Sequence, residues 1–514
     1  MMRIFYTCVL CLSLCLLTFT AAKADNIDNL LRQYDALPTT DLKMDVELGN
    51  LLALSASLAP EALPESLENI ATPIRVLIDV RSNHSDGAHD FKTLIELAKK
   101  RHIDVLTFTE HDRYSIRFGI DPMPHILGYS MEHPSLYATG LTQFFTDLTQ
   151  AQQQYPEMGL YAGTESTAGY YWQGIPFQNL SLHNAERHFI TLGVEQEAQI
   201  QALSSYSLRH AYGNTELSLI FWFVLVFMLI FYLLRKRKRG VALLLAGSFI
   251  AFITTWLMKP VVDADADFIQ SAQEQGLWTI WTHPGTLSGV RPGPFGVKLD
   301  TPPYNQRVFT SPTADAFAAV YGDTDQNTMA GGMWDQWMLD YMHGYVAKPL
   351  WAVAAGDYHE EGQSAEYLGN FPMDVWAKSK RLEDVMAALR QGKMVAWHML
   401  KDQDIAMKAL YLSYVDAAGN TQNVQAGDEA VVPEAVRLVV ALRSLKPDAE
   451  VLSLHGQWIV DGKVAAKVMI STDEEAAVFA HDLQLSQGLH VVRLKIPGQQ
   501  GIRLESNPFL LRVR

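Results

Sequence analysis

Short apolar runs of strand length recur along the chain from residue 73, at 74–80, 103–108, 159–165, 188–193, 277–283, 316–321 and 350–356. Between them apolar residues fall at helical spacing, as at Phe91, Leu94, Ile95, Leu97 and Ala98, or across 267–275. Repeated strand-then-helix units bury both faces of a parallel sheet and predict an α/β sheet or barrel. Val385, Met386, Leu389 and Met394 predict a last helix over 385–396 that closes this domain. Beyond residue 400 the period shortens. Apolar runs at 409–415, 436–442 and 489–496, with turn signals at Ala418-Gly419-Asn420 and Asp461-Gly462, predict an all-β, sandwich-like domain over 401–514.

Two stretches break this rhythm. Residues 217–234 and 241–258 each run 18 positions without a charge, about the minimum that crosses a hydrocarbon core. Arg235-Lys236-Arg237-Lys238-Arg239 lies between them and is expected to stay on the cytoplasmic side. The pattern predicts a transmembrane helical hairpin over 213–259, inserted into one α/β domain whose parts are 73–212 and 260–400. Residues 1–24 read as a secretory signal, with Arg3, an apolar stretch over 4–20 and Ala22-Lys23-Ala24, followed by a helical segment over 25–72. The expected location is the inner membrane, with the α/β and C-terminal domains on the periplasmic side.

A formal net charge of −15 excludes nucleic acid as a partner, because no basic surface displaces counterions from phosphates. The three cysteines, Cys8, Cys11 and Cys15, all precede residue 20, so any metal is bound by histidine and carboxylate. Such residues gather at predicted strand ends: Asp79, Ser85-Asp86-Gly87, Thr109-Glu110-His111-Asp112, Glu165, His188, His283-Pro284 and Gly356-Asp357-Tyr358-His359. In a β/α barrel the C-terminal strand ends converge on one face. Imidazole and carboxylate together suit zinc, manganese or iron. His102, His125, His398 and His490 read as surface or core residues.

The succession S-D-G, T-E-H-D, G-T-E, R-H-F-I-T-L-G, T-H-P-G and G-D-Y-H resembles the PHP (polymerase and histidinol phosphatase) family over about 73–400, less the hairpin. The resemblance implies a distorted (β/α)7 barrel that binds divalent ions and hydrolyses phosphate esters. Carried over residue by residue, it implies Asp86, His111, Glu165, His188, His283, Asp357 and His359 as metal ligands, with His183 a competitor for His188 and Glu110 in a supporting place. The family's opening H-x-H is here Asp79-Val80-Arg81. Arginine has no lone pair to donate, so about two ions are expected rather than three. Arg81 is expected to stand where one ion would and to grip the substrate phosphate, and it and Asp357 are the expected catalytic residues. The expected function is a membrane-anchored, extracytoplasmic phosphoesterase that uses metal-activated water on a small-molecule or lipid-linked phosphate ester. The alternative is a degenerate metal-binding module that engages an envelope protein through its C-terminal β domain. The aromatic loop over 112–141, with Tyr114, Phe118, Met123, Tyr129, Met131 and Tyr137, is expected to join Tyr170, Tyr171 and Trp172 in an apolar lid.

Overall fold

The computed structural model describes residues 73–119, 128–205, 226, 230, 263–321, 326–363, 366–401, 403–446, 450–472, 479–499 and 501–514. The predicted signal (1–24), the N-terminal segment (25–72) and the predicted hairpin (213–259), apart from Val226 and Ile230, lie outside the described residues. Among the described residues no helix is long and apolar enough to cross a membrane.

The chain is a mixed α/β fold with large sheets. Its first strands are β1 (Ile74–Val80), β2 (Val105–His111), β3 (Ser115–Gly119), β4 (Gly128–Glu132), β5 (Gly159–Thr167), β6 (Tyr171–Gln173), β7 (Ser181–His183) and β8 (His188–Val194). There follow β9 (Trp278–Trp281), β10 (Val290–Pro292), β11 (Lys298–Asp300), β12 (Ala316–Val320), β13 (Trp351–Ala354), β14 (Met373–Val375) and β15 (Met394–His398). Every apolar run that the sequence marks as a strand in the α/β region appears among them. The pairing order is β13-β12-β9-β8-β5-β2-β1-β14-β15. The chain leaving β13 returns to β1 through a parallel bridge from Tyr358 to Val80. Arg81 N–H donates to the Tyr358 carbonyl and Tyr358 N–H to the Asp79 carbonyl, each at 3.0 Å. That bridge draws the strand ends that carry β1, β2, β5, β9 and β13 into a ring.

Of the strands that the sequence marks, one departs from the parallel expectation; β14, which it does not mark, is antiparallel to β1 and β15 as well. β8 runs antiparallel to both β5 and β9, so His188 at its start lies opposite Thr167 at the end of β5. His188 therefore reaches the common end of the ring from the beginning of its strand, not from its C-terminal end as predicted.

Helix Phe91–Lys100 buries Phe91, Leu94, Ile95 and Ala98 against the sheet, and the Asp90 carboxylate accepts from the Thr93 N–H at 2.8 Å. Such an N-cap contributes about 1 kcal/mol. The helix predicted over 385–396 is shorter: it spans Leu382–Arg390, and Met394 opens β15. Gly392 ends it, with φ of 69° and no space for a side chain, since a Cβ there would meet the Trp351 ring at 2.5 Å.

The C-terminal region is all-β, as predicted: β16 (Ile405–Val415), β17 (Thr421–Gln425), β18 (Glu429–Val432), β19 (Ala435–Ser444), β20 (Ser453–Val460), β21 (Lys463–Ser471), β22 (Phe479–Gln484), β23 (Gly488–Gln499), β24 (Ile502–Ser506) and β25 (Phe509–Val513). One sheet runs β17-β16-β19-β22, and Leu410, Leu412 and Leu438 pack with Trp458, Leu494 and Leu504 of the other in one core. The boundary predicted at 400 crosses a hydrogen-bonded sheet, because β15 pairs with β24 from Val395↔Ser506 to His398↔Arg503.

Candidate metal centre

The strand ends are held in unusual backbone. Asp79 (φ 68°), His283 (φ 35°) and Asp357 (φ 49°) all occupy the left-handed region. Each such residue costs on the order of 1–2 kcal/mol, and strain of this kind persists where the surroundings over-determine it. Here they do: the Asp357 N–H donates to Asp79 Oδ2 at 2.7 Å. Between β1 and the first helix the chain folds tightly over Gly87, where a Cβ would collide with the Arg81 carbonyl. Buried Glu110 pins this turn, accepting from the Ser82 N–H and from the Ser82 and Ser85 hydroxyls. The turn presents Asp86, and Glu110 braces it from beneath through Ser82 and Ser85.

Two groups of ligand-type atoms assemble at this end. Asp86, His111 and His359 offer atoms that all lie within 4.8 Å of one another, as do Glu165, His188 and His283. Nε2 of His111 and Nε2 of His359 lie 3.5 and 3.3 Å from Asp86 Oδ2. Nδ1 of His188 and Nε2 of His283 lie 3.2 and 3.3 Å from Glu165 Oε1. His111 also reaches Glu165 Oε2 at 3.7 Å, which links the two groups.

The far nitrogens orient two of these rings. His188 Nε2 faces the Ala185 carbonyl at 3.3 Å, and His359 Nδ1 faces the Asp357 carbonyl at 2.7 Å. A carbonyl fixes the N–H on that nitrogen and turns the other nitrogen inward, as in metal-ligating histidines. Nδ1 of His188 is buried and has no hydrogen-bond partner despite its nearness to Glu165. An orphaned, inward-facing nitrogen beside a carboxylate fits a divalent cation. Burial pushes His111 down to about 4. Burial also presses on His188, but the Glu165 carboxylate outweighs it and raises that ring to about 8.

Asp79, Glu165 and Asp357 form a third group of oxygens within 4.8 Å, and the Arg81 guanidinium is paired with all three. Nη1 lies 3.0 Å from Asp79 and donates to the Thr109 carbonyl at 2.6 Å; Nη2 makes a short ion pair with Glu165 and lies 3.4 Å from Asp357. Burial disfavours its charge, yet Glu165 and Asp79 outweigh burial and hold Arg81 protonated. Arg81 thus fills this third group of carboxylates. Its side chain is 0% exposed and both terminal nitrogens are taken by protein acceptors, where the sequence led us to expect a grip on phosphate. A buried guanidinium goes to the nearest uncompensated carboxylates.

A cavity of about 280 Å³ opens on the two groups, lined by Asp86, His111, His188, His283, Asp357 and His359 and also by Tyr114, Tyr321, Glu186, Ser288 and Arg291. Arg291 is the one Lys or Arg among its described lining residues. Its Nη1 donates to Glu186 Oε2 at 2.6 Å and to the Ser288 carbonyl at 2.7 Å, while Nη2 pairs closely with Glu186 Oε1. Burial pushes Tyr114 up to about 12 and, with the Asp357 charge, holds Tyr321 above its ordinary range. Both phenols therefore keep their protons. Sequence reasoning missed Arg291, Glu186 and Tyr321, whose only local signal is nearness to His283, His188 and a strand end. His183 does not compete with His188: it pairs with Asp300 at 3.2 Å and stacks on Tyr171 at 4.6 Å. Of the aromatic loop, Tyr114 reaches the cavity. Phe118 packs instead on Trp172 at 5.1 Å, in a small core with Tyr170, Leu180 and Leu182, and Met123 lies outside the described residues.

No protein-family model matches the chain. No curated protein matches it. Among solved structures it is similar to a two-domain protein containing a predicted PHP-like metal-dependent phosphoesterase from Bacteroides vulgatus, at 12% identity over 89% of this chain and 99% of that one, with a TM-score of 0.36. It is also similar to a putative metal-dependent phosphoesterase from Bifidobacterium adolescentis, at 13% identity over 56% and 88% of the two chains, with a TM-score of 0.27. Similarity at that level says nothing about the chemistry of this site.

Proposed function

We propose that the chain is a metal-dependent phosphoesterase that holds one divalent ion at Asp86, His111 and His359 and a second at Glu165, His188 and His283. The observation that carries this reading is the pair of adjoining histidine–carboxylate groups opening into one cavity. Four carboxylates, Asp79, Asp86, Glu165 and Asp357, meet there with Arg81 as their buried guanidinium, an imbalance that divalent cations would correct. The donor set suits zinc, manganese or iron. Ions bound there would supply an acidic water and offset charge on a phosphoryl group. The chain's own part is to bind and orient. Arg291 offers a forked guanidinium to the phosphate once Glu186 yields it, and Tyr114 and Tyr321 present O–H donors to phosphoryl oxygens. Arg81 positions Glu165 and Asp357 without touching substrate.

We further propose that residues 217–234 and 241–258 tether the chain in the inner membrane with the site on the periplasmic side, where small or lipid-borne phosphate esters are the substrates. The filled third group favours a second reading, a metal-binding module without turnover. Metal analysis of the purified chain, joined to a screen of phosphate esters, decides between them. About two ions per chain with hydrolysis is the expected result; ions without hydrolysis give the second reading, and no metal in protein purified without chelator overturns both. A reporter active only outside the cytoplasm is expected to work fused after residue 262 and to fail at 237; the reverse pattern overturns the topology.

A further inference from the structure

The two most exposed large apolar side chains of the described residues are Phe177, 94% exposed, and Phe295, 90% exposed. Each sits in a hairpin of the small sheet, whose order is β10-β11-β7-β6. Residues 174–180 join β6 to β7, and residues 293–297 join β10 to β11. β11 lies parallel to β7 with Lys298 beside Ser181, while β6 and β10 run antiparallel to their neighbours. Both connections therefore leave the same end of the sheet, on the adjacent starts of β7 and β11.

The two tips are alike in sequence. Pro176-Phe177 and Pro294-Phe295 set the aromatic residue directly after a proline, and neither 174–180 nor 293–297 contains a charge. Phe177 and Phe295 have φ of 64° and 55°. Left-handed turn positions favour Gly, Asn and Asp, and a bulky ring there is a backbone outlier. A phenylalanine at such a position, held in water, gives the fold nothing in return, and it occurs here twice, side by side. The benefit lies outside the chain.

We propose that these tips insert into the interfacial layer of a lipid bilayer. Two convex, uncharged, aromatic tips suit a surface that takes apolar groups without demanding a matching shape. The inference rests on the membrane tethering proposed above. The uncharged runs fall between Ser205 and Asp263. Ser205 Oγ donates to the Thr167 carbonyl at 3.3 Å, and Asp265 pairs with Arg187 at 2.9 Å. Thr167 leads into β6 and Arg187 follows β7, so the chain leaves and re-enters at the Tyr171–His183 end of the small sheet, the base from which the two tips project away. Arg291 lies on β10, the strand that runs to the Phe295 tip. Docking therefore brings the cavity's cation to the level of lipid headgroups, and the substrate class becomes phosphate esters carried on lipid.

The test uses the full chain with Cys8, Cys11 and Cys15 replaced by serine and an environment-sensitive fluorophore on a single cysteine. It is reconstituted into phosphatidylcholine vesicles containing a quencher attached to the lipid chains. A label at Gln178→Cys is expected to shift to the blue and lose emission, and a label at Met469→Cys, on β21, to do neither. Adding Phe177→Gly and Phe295→Gly, which suit the left-handed backbone and leave the fold intact, is expected to abolish the effect at 178. A label at Ile230→Cys tests the tether separately. Quenching at 230 without quenching at 178 overturns the docking alone. Quenching at 178 without 230 keeps the docking and overturns the tether, and quenching at neither overturns both.

Discussion

Two of the buried charge clusters among the described residues are built differently. Where the α/β region meets the C-terminal sheets, Arg493 pairs with Asp335 at 2.6 Å and Glu505 at 3.0 Å, and Lys495 with Glu505 at 2.7 Å. The Thr328 carbonyl accepts from both cations, at 2.9 and 3.2 Å, and Arg493 lies over the Trp334 ring at 4.9 Å. This junction holds two cations against two carboxylates and is closed. At the ring end, Arg81 compensates part of a four-carboxylate cluster, three histidines converge with Glu165, and a buried histidine nitrogen has no hydrogen bond. A buried network that neutralises itself serves the fold. One that gathers more carboxylates than its guanidinium offsets, with imidazole nitrogens turned inward, is arranged for a cation from outside.

The largest effect is expected from Glu165→Gln, which keeps the volume and removes the charge shared by both histidine groups. Metal analysis should show at least one ion lost per chain, and phosphate-ester hydrolysis should fall roughly 10³-fold or more. Unchanged metal content would erase the distinction between the two regions.

Next comes a matched pair. Glu505→Gln strands Lys495 and part of Arg493, and removing one partner of a buried network costs about 3–5 kcal/mol. Thermal unfolding should show that loss with or without added zinc or manganese. Arg81→Met should cost a similar amount in metal-free protein but recover on adding the cation, because an ion can take the vacated place among Asp79, Glu165 and Asp357. Recovery in both variants, or in neither, breaks the comparison.

Arg291→Ala should lower kcat/KM by roughly 10- to 100-fold through loss of a bidentate anion contact. Its resting pair with Glu186 is half exposed, so stability should change by less than about 1 kcal/mol. Equal kcat/KM in variant and parent would remove Arg291 from the site.

The smallest effect concerns His398, near the junction, where burial and the Arg503 charge push the ring down to about 4. Below about 6.5 the unfolded chain takes up a proton there that the folded chain refuses, so stability is lost as pH falls from 6.5 toward 4. Allowing for partial exposure, the loss is about 1–2 kcal/mol. His398→Gln should lose less stability than the parent over that window, and parallel unfolding profiles would refute the assignment.

Much of the site was legible because its motifs sit where strands end. Asp86, His111, Glu165, His283 and His359 are found together at the ring end, each on or beside a segment whose apolar run is local and readable. His188 reaches the same place by a reversed strand that hydrophobic period cannot reveal, since period is the same in both directions. Arg291 gave no signal, because its meaning depends on Glu186 and on a cavity assembled from distant segments.

The sequence by itself determined the α/β and all-β regions, the strands that carry the ligand-type residues, and the presence of Arg81 beside Asp79 at the end of a strand. These follow from local hydrophobic period and from residue chemistry, which need no partner to be read. Only the tertiary structure decided the direction of β8, the inward turn of Arg81, the continuity of the sheet across residue 400 and the shared end of the Phe177 and Phe295 hairpins. Strand direction, ion-pair choice and the neighbourhood of two loops depend on groups far apart in the chain. Their energies are settled only when folding removes water from between them.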